Sequence, residues 1–255
     1  MFFFPRAKTH FSSPLPHPRV IFPQMFKCYF DLETTGLGRK ARIVQIGAIV
    51  VDDEKQFKGS FNEHVRTTVP MSKKAAQITG ITDEFLSDKS PPAKVFHRFL
   101  RWLAQFQPLE LVAYNGFGFD FPMWSRDTAL EKIGWRPYVQ SFVDPLVWAR
   151  ANLQPEILLM NAKGRPCFKL GSLYKSVFQR EIKNAHDALA DCRALRDLCE
   201  HPMFGALQDE GPHRLTEWVT TVCYRQLNIS AILKPRAPKF KRQAPRKQIE
   251  KKTPS

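Results

Sequence analysis

Apolar and polar residues alternate in three blocks near the start of the chain. The blocks lie at 25–33 ("MFKCYFDLE"), 42–53 ("RIVQIGAIVVDD") and 56–66 ("QFKGSFNEHVR"). Their length and their content of β-branched and aromatic residues are typical of β-strands. Because short connections join strands that pair in the antiparallel sense, this pattern predicts an antiparallel meander of three strands.

A helical period replaces the alternation further along the chain. Within "PPAKVFHRFLRWLAQF" (91–106), apolar residues recur at the spacing of a helix face that packs on a core. The same two patterns predict two more strands and five more helices, namely strands at 109–115 and 139–144 and helices at 72–80, 121–134, 170–179, 184–200 and 214–227. A meander followed by alternating strands and helices predicts one α/β domain with helices covering a mixed central β-sheet.

The two ends of the chain differ in composition from the part between them. Residues 1–24 contain five prolines and no acidic residue, which predicts a disordered extension or a mitochondrial transit segment. Met25 stands directly before the first strand and is a candidate start of translation. Residues 231–255 are rich in proline and lysine, which predicts a disordered basic tail. The folded domain is therefore expected at 25–230.

The chain of 255 residues carries a formal net charge of +15, which favours a polyanionic partner such as nucleic acid. Part of this charge lies in the tail, where residues 234–252 hold nine Lys or Arg and one Glu. The charge therefore predicts a class of partner without locating a site. No run approaches the eighteen or so apolar residues that cross a bilayer, so no membrane span is predicted.

The five cysteines are scattered and form no C-x-x-C pair, which argues against a disulfide framework and against a zinc finger. A zinc site built from Cys192, Cys199, His201 and His213 is an alternative, but the spacing is not that of known zinc sites. Reduced thiols predict an intracellular protein of the nucleus or cytoplasm, or of the mitochondrion if residues 1–24 direct it there.

Two acidic residues interrupt the first predicted strand. Side chains alternate along a strand, so Asp31 and Glu33 point to one face, while Cys28, Phe30 and Leu32 point to the other and can pack under a helix. Burying an unpaired carboxylate costs several kcal/mol. Taken alone, the pair reads equally well as two exposed acids at the end of a strand.

A second acidic position follows the fourth predicted strand, in "VAYNGFGFDFP" (112–122). Asn115 and Gly116 form a turn pair, and Asp120 stands at the start of a predicted helix. Because Pro122 suits the first helical turn, Asp120 is a candidate N-cap. A carboxylate at this place is also well positioned to bind a metal ion.

A third acidic position lies in "NAHDALADCRAL" (184–195). Asp191 falls inside the predicted helix, and His186 lies near its start. Asn184 and Asp187 resemble a capping pair, which gives Asp187 a structural explanation. Asp191 alone is compatible with an ordinary solvated acid.

Together, "FDLETTGL", "NGFGFD" and "HDALAD" resemble, in this order, the three motifs of the DEDDh 3′–5′ exonucleases, which are DnaQ-like proteins with the RNase H-like exonuclease fold. The resemblance covers about residues 26–200. It is nearest to the three-prime repair exonucleases, whose second motif has the same spacing as Asn115 to Asp120. Two departures are Thr34, which follows Glu33 as in proofreading subunits, and Phe119, which stands where a tyrosine is common.

The resemblance implies a specific chemistry. Metal-binding carboxylates fall on Asp31, Glu33, Asp120 and Asp191, and His186 is the general base. The implied cofactor is a pair of Mg²⁺ ions, which Mn²⁺ can replace, since hard oxygen ligands select such ions. The implied reaction hydrolyses the terminal phosphodiester bond of DNA and releases a 5′-mononucleotide.

The implied substrate is a nucleic acid with a 3′ end, either single-stranded or frayed duplex DNA, with RNA as an alternative. Its candidate contacts are Thr34, Leu37, Ile78, Asn115, Phe119 and Ser172, with Phe117 as an alternative stacking partner and Arg39, Lys40 and Arg42 as candidates for attracting the backbone. Ser172 also reads as a plain N-cap.

Other functions left open are an exoribonuclease, a polymerase proofreading exonuclease and a non-catalytic binding protein. The predicted third strand is a candidate edge for a homodimer.

Overall fold

The computed structural model describes residues 25–204. Its five strands are β1 (Phe26–Thr34), β2 (Ile43–Val51), β3 (Phe57–His64), β4 (Leu109–Val112) and β5 (Ser141–Val143). The α-helices within the described residues are α1 (Lys73–Thr79), α2 (Asp83–Leu86), α3 (Pro92–Leu103), α4 (Asp120–Leu130), α5 (Pro145–Asn152), α6 (Leu170–Phe178) and α7 (Ala188–Glu200).

The strands form one mixed sheet in the order β3-β2-β1-β4-β5. The pairs β1–β2 and β2–β3 are antiparallel, which confirms the predicted meander. β4 runs parallel to β1, and β5 runs parallel to β4. β1 therefore lies at the centre of the sheet, and its carboxyl end shares one edge with the carboxyl ends of β4 and β5.

Helices cover both faces of the sheet. Cys28, Phe30 and Leu32 of β1 are buried on the face that packs on α3, where the rings of Phe30 and Phe99 stack with centroids 5.6 Å apart. The opposite face packs on α7, mainly through contacts with β1 and β2. β2 is buried at every position, as expected for a strand covered on both sides.

α7 lies unusually close to β2. A Cβ atom on Gly47 would stand 2.4 Å from the backbone carbonyl carbon of Ala188, so only glycine permits this approach. Gly47 pairs with Asp31 across the β1–β2 ladder. The contact therefore brings the amino end of α7 beside the acidic residues of β1.

α7 begins later than the sequence pattern predicts. Asn184 and His186 have φ angles of 58° and 68°, which are left-handed rather than helical, so the predicted start at 184 is wrong. Asp187 is the N-cap, and its side chain accepts a hydrogen bond from Ala190 N. The capping role predicted for Asp187 is thus confirmed.

Several predicted features lie outside the described residues, namely the extension at 1–24, the helix at 214–227 and the tail at 231–255. Within residues 25–204, none of the helices has the length and apolar character that a membrane crossing requires. Cys192 and Cys199 pack in the apolar interior between α7 and the sheet, where burial raises the pKa of both thiols. A raised pKa disfavours the thiolate that binds zinc.

Candidate active site

The first two acidic residues lie near the carboxyl end of β1. Asp31 pairs with Gly47, and Glu33 pairs with Gln45 of β2. Both side chains stand on the α7 face and are partly buried, while Leu32 between them is buried on the α3 face. The predicted alternation is therefore confirmed, and it directs both carboxylates toward the amino end of α7.

Asp120 approaches the same place from α4. It is the first residue of the helix and is 2% exposed, and its Oδ1 accepts a hydrogen bond from Leu32 N at 3.2 Å. The N-cap is Phe119, whose side chain makes no capping bond. The N-cap alternative for Asp120 is therefore wrong. Its carboxylate accepts a hydrogen bond from the backbone of β1 and does not cap α4.

Asp191 reaches the site from the first turn of α7. Its Oδ2 accepts a hydrogen bond from His186 N at 3.1 Å, which helps to hold the left-handed loop before the helix. Glu33, His186 and Asp191 each offer one ligand atom, and these atoms lie within 4.8 Å of one another. The structure thus brings the predicted histidine and two predicted acids together.

Burial and neighbouring charges raise the pKa of all four carboxylates. Burial raises the pKa of Asp31 well above its usual value, and the charges of Asp120, Asp191 and Glu33 raise it further. Burial and the charges of Asp191 and Asp120 raise the pKa of Glu33 to about 8. Burial also raises the pKa of Asp120 to about 8 and that of Asp191 to about 6. The charged cluster is unfavourable without a cation.

The donor set suits a divalent cation. Carboxylate oxygens are hard ligands of the kind that Mg²⁺ and Mn²⁺ prefer. Several like charges in a partly buried place repel one another, and a bound positive ion removes most of this electrostatic cost. The residues present therefore fit the metal ions that the motifs imply.

Gln45 is a further site residue that motif reasoning missed. Its side chain is 1% exposed, its Nε2 donates to Asp187 Oδ2 at 2.7 Å, and its Oε1 accepts from Ala188 N at 3.3 Å. It thereby fixes the amino end of α7 beside Glu33. In the sequence, Gln45 stands out only as the single polar side chain inside the apolar run "IVQIGAIVV".

Asp144, which follows β5, was also missed. Its carboxylate accepts hydrogen bonds from Asn115 N at 2.8 Å, Phe117 N at 3.2 Å and Leu146 N at 3.0 Å. It therefore organises the loop that leads into Asp120. Burial raises its pKa despite these three bonds. In the sequence, Asp144 could have been noticed as an acidic residue directly before a proline at the end of a predicted strand.

The predicted substrate contacts lie in different environments. Leu37 and Ile78 are exposed apolar residues, at 86% and 44% of their surface, as a ligand contact requires. The Thr34 hydroxyl donates to Gly36 O at 2.8 Å, so it stabilises a turn. Phe119 packs partly against the main core, and Phe117 does the same.

Asn115 and Ser172 take specific backbone positions. Asn115 is exposed and adopts a left-handed φ of 60°, and its carbonyl accepts from Gly118 N and Phe119 N. Ser172 lies inside α6, whose N-cap is Lys169, so the N-cap alternative for Ser172 is wrong. Cys167 Sγ donates a hydrogen bond to the Ser172 hydroxyl at 3.2 Å.

Known proteins are similar in sequence to parts of this chain. Human three prime repair exonuclease 2 is 33% identical over 132 residues, which cover 49% of this chain and 55% of that protein. The PolC-type DNA polymerase III of Streptococcus sanguinis is 32% identical over 170 residues, which cover 65% of this chain and 10% of the polymerase. The chain thus spans about half the length of the human relative.

A similar fold occurs in E. coli exonuclease I, solved in complex with a dT13 oligonucleotide. The TM-score is 0.62 at 22% identity, and the match covers 80% of this chain and 44% of that one. This likeness confirms the predicted RNase H-like exonuclease fold. A model of the exonuclease family RNase_T matches residues 28–198, which is about two-thirds of the chain. The chain therefore belongs to the RNase_T exonuclease family.

Proposed function

We propose that this protein is a metal-dependent 3′–5′ exonuclease that hydrolyses the terminal phosphodiester bond of DNA and releases 5′-mononucleotides. The observation that carries the proposal is the meeting of four carboxylates and His186 at the carboxyl end of β1, from three separate elements. The family, the human repair exonuclease and the oligonucleotide complex of exonuclease I support DNA as the substrate.

Asp31, Glu33, Asp120 and Asp191 hold two Mg²⁺ ions in this proposal, and Mn²⁺ can replace them. When bound, such ions activate water and stabilise the leaving oxygen. The protein supplies oxygen ligands from a strand and two helices that are fixed by backbone hydrogen bonds. Rigid support of this kind keeps ligands in place for an incoming phosphate.

His186 accepts the proton of the attacking water. Histidine is the side chain that most often acts as a general base in enzymes. The side chain is exposed and carries one ligand atom within 4.8 Å of atoms on Glu33 and Asp191. Because this position would also let His186 bind a metal ion, the two roles need separate tests.

The proposed DNA approaches over the exposed side chains near the end of β1. Leu37 and Ile78 offer apolar surface for the terminal bases. Arg39 and Lys40, in the loop after β1, lie on the exposed surface and add positive charge for the phosphates. We place the reaction in the nucleus or cytoplasm, where buried thiols such as Cys28 stay reduced.

We also propose that β3 pairs two copies of the chain. β3 forms one edge of the described sheet, with an exposed phenylalanine, Phe57, at its start. An open edge presents unpaired backbone groups to a partner strand. Sedimentation at several concentrations tests this, and a monomer at all of them would contradict it.

The experiment that tests the main proposal compares substrates and variants. The full chain is incubated with MgCl₂ and with 5′-labelled single-stranded DNA, frayed duplex DNA and RNA of one sequence. We expect stepwise shortening of DNA, absent in Asp191→Ala and retained in Asp197→Ala, which changes an acid elsewhere on α7. Preferential shortening of RNA would favour the exoribonuclease instead. Binding without cleavage would favour a non-catalytic protein.

A second experiment separates the two roles of His186. We expect His186→Ala to bind Mn²⁺ with nearly wild-type affinity in calorimetry and to lose most of its turnover, about a hundredfold or more. Loss of Mn²⁺ binding in this variant would show that His186 is a ligand rather than a general base.

A further inference from the structure

The loop that joins β1 to β2 (residues 35–42, here the β1–β2 loop) carries an exposed leucine on an ordered backbone. Leu37 is 86% exposed, the highest value among the large apolar residues of the described chain. Both ends of the loop are tied down. Thr35 N donates to Arg42 O at 2.9 Å, and Ser72 N donates to Thr35 O at 2.8 Å. The exposed leucine therefore stands on a loop with fixed ends.

Arg126 of α4 holds the middle of this loop. Its guanidinium group donates hydrogen bonds to Gly38 O at 3.4 Å, to Arg39 O at 3.1 Å and to Ala41 O. A guanidinium carries five N–H donors in a rigid plane and can bind several carbonyl groups at once. One side chain thus binds three carbonyl groups of the loop. Ala41 O also accepts from Arg42 Nη1 at 2.9 Å, and Gly38 O also accepts from Ala41 N at 3.2 Å.

Asp127 holds Arg126 in this orientation. Its Oδ1 accepts from Arg126 Nε at 3.0 Å, and its Oδ2 accepts from Ile43 N at 3.0 Å, where β2 begins. Asp127 is 4% exposed and the Arg126 side chain is 26% exposed, so water reaches the ion pair from the arginine side only. The β1–β2 loop and the start of β2 are therefore fastened to the same turn of α4.

The same helix carries a proposed metal ligand. Asp120 begins α4 and accepts from Leu32 N in β1, while Arg126 lies six residues further along and binds the loop that follows β1. α4 therefore sets the position of Leu37 relative to the carboxylates. An apolar side chain held rigidly in water gains no stability there, but it lowers the entropy cost of contact with a ligand.

We infer that Arg126 is a positioning residue that holds Leu37 against the base of the 3′-terminal nucleotide. The inference rests on the proposed exonuclease function. Arg126 touches no substrate in this scheme and acts only through the loop that it orders. Replacing it should therefore cost activity only as long as Leu37 is present.

A double-mutant cycle tests this dependence. Single-stranded DNA is digested by wild type, Leu37→Ala, Arg126→Ala and the double variant, with Arg101→Ala on α3 as the control for lost charge. Burying a leucine is worth about 1.5–3 kcal/mol, so each single change should lower kcat/KM about 10- to 150-fold, mainly through KM. The double variant should be no worse than Leu37→Ala. Losses that multiply in the double variant, or no loss in Arg126→Ala, would overturn the inference.

Hydrogen exchange keeps the inference testable without activity. We expect Arg126→Ala to speed exchange of the β1–β2 loop amides about tenfold or more, with the amides of α4 unchanged. Arg126→Lys keeps the charge but loses the planar fork, and it should give an intermediate increase. Unchanged loop exchange in Arg126→Ala would refute the positioning role even if the protein is an active nuclease. Absence of nuclease activity in the wild type would instead refute the proposed function.

Discussion

Replacing Glu33 with glutamine should stabilise the metal-free protein. Glu33 stands among three other carboxylates, and burial together with Asp191 and Asp120 raises its pKa from 4.5 to about 8. The Glu33→Gln variant keeps the size of the side chain and removes its charge. The repulsion that the folded state now contains would be reduced, while the unfolded chain would change little.

The size of the effect follows from proton linkage. A pKa of about 8 when folded, against 4.5 when unfolded, corresponds to about 3 kcal/mol of stability lost at pH 7. Because water reaches part of the Glu33 side chain and screens the charge, we expect a gain of about 1–2 kcal/mol in the variant.

The sign of the pH dependence is also defined. Between the unfolded and the folded pKa, the folded state binds more protons at Glu33 than the unfolded state does. The free energy of unfolding of the metal-free protein should therefore fall as pH rises from about 4.5 to about 8, and Glu33 should add no further loss above that range. The variant should lack this part of the loss.

Urea unfolding in EDTA, from about pH 5 to about pH 9, measures the difference. Glu156→Gln is the matched control, because Glu156 is an exposed acid in the turn at Pro155–Ile157. Saturating MgCl₂ should reverse the order, since ions that bind only the folded protein stabilise wild type more. A variant less stable than wild type in EDTA at pH 8 would refute the electrostatic reasoning.

Three further changes test the support around the site. Gly47→Ala places a Cβ atom against Ala188 and should lower turnover, and it should lower the free energy of unfolding in urea by about 1–3 kcal/mol. The control Gly134→Ala adds a Cβ atom that meets no neighbouring atom, so it should change neither quantity. Equal effects of the two variants would show that the contact with Ala188 is not the cause. Gln45→Ala removes the bonds to Asp187 and Ala188 and should cost about 1–3 kcal/mol by the same method; unchanged stability would contradict its role. Asp144→Asn weakens the bonds that order the loop before Asp120 and should slow turnover measurably, whereas wild-type kinetics would exclude that link.

The parts of the fold that local pattern decides were predictable. The alternation in β1 separates the acids from Phe30 and Leu32, and the helical period of residues 91–106 matches α3 at Pro92–Leu103. The three motifs also located the acids and His186 that the structure brings together. Such features depend on neighbours within a few positions, so a single sequence reports them well.

Features set by distant contacts could not be read in this way. Asp120 looks like an N-cap locally, but its carboxylate binds Leu32 N, 88 positions earlier. Gln45 accepts from the first backbone N–H of a helix 143 positions away, and its partners are visible only after folding. The start of α7 was misplaced for another reason. The contact between His186 N and Asp191 is only five positions long, but it holds a left-handed backbone that residue propensity does not favour and no periodic pattern signals. Gln45 belongs to the support of the site, which the motifs do not record.

The most direct test is the product of the first turnover. Single-stranded DNA labelled in its 3′-terminal nucleotide is mixed with excess protein and MgCl₂ and quenched before a second cleavage. We expect wild type to release the label as a 5′-mononucleotide, with no release in EDTA or by Asp31→Asn. Internal fragments that keep the labelled end, or equal release by Asp31→Asn, would contradict it.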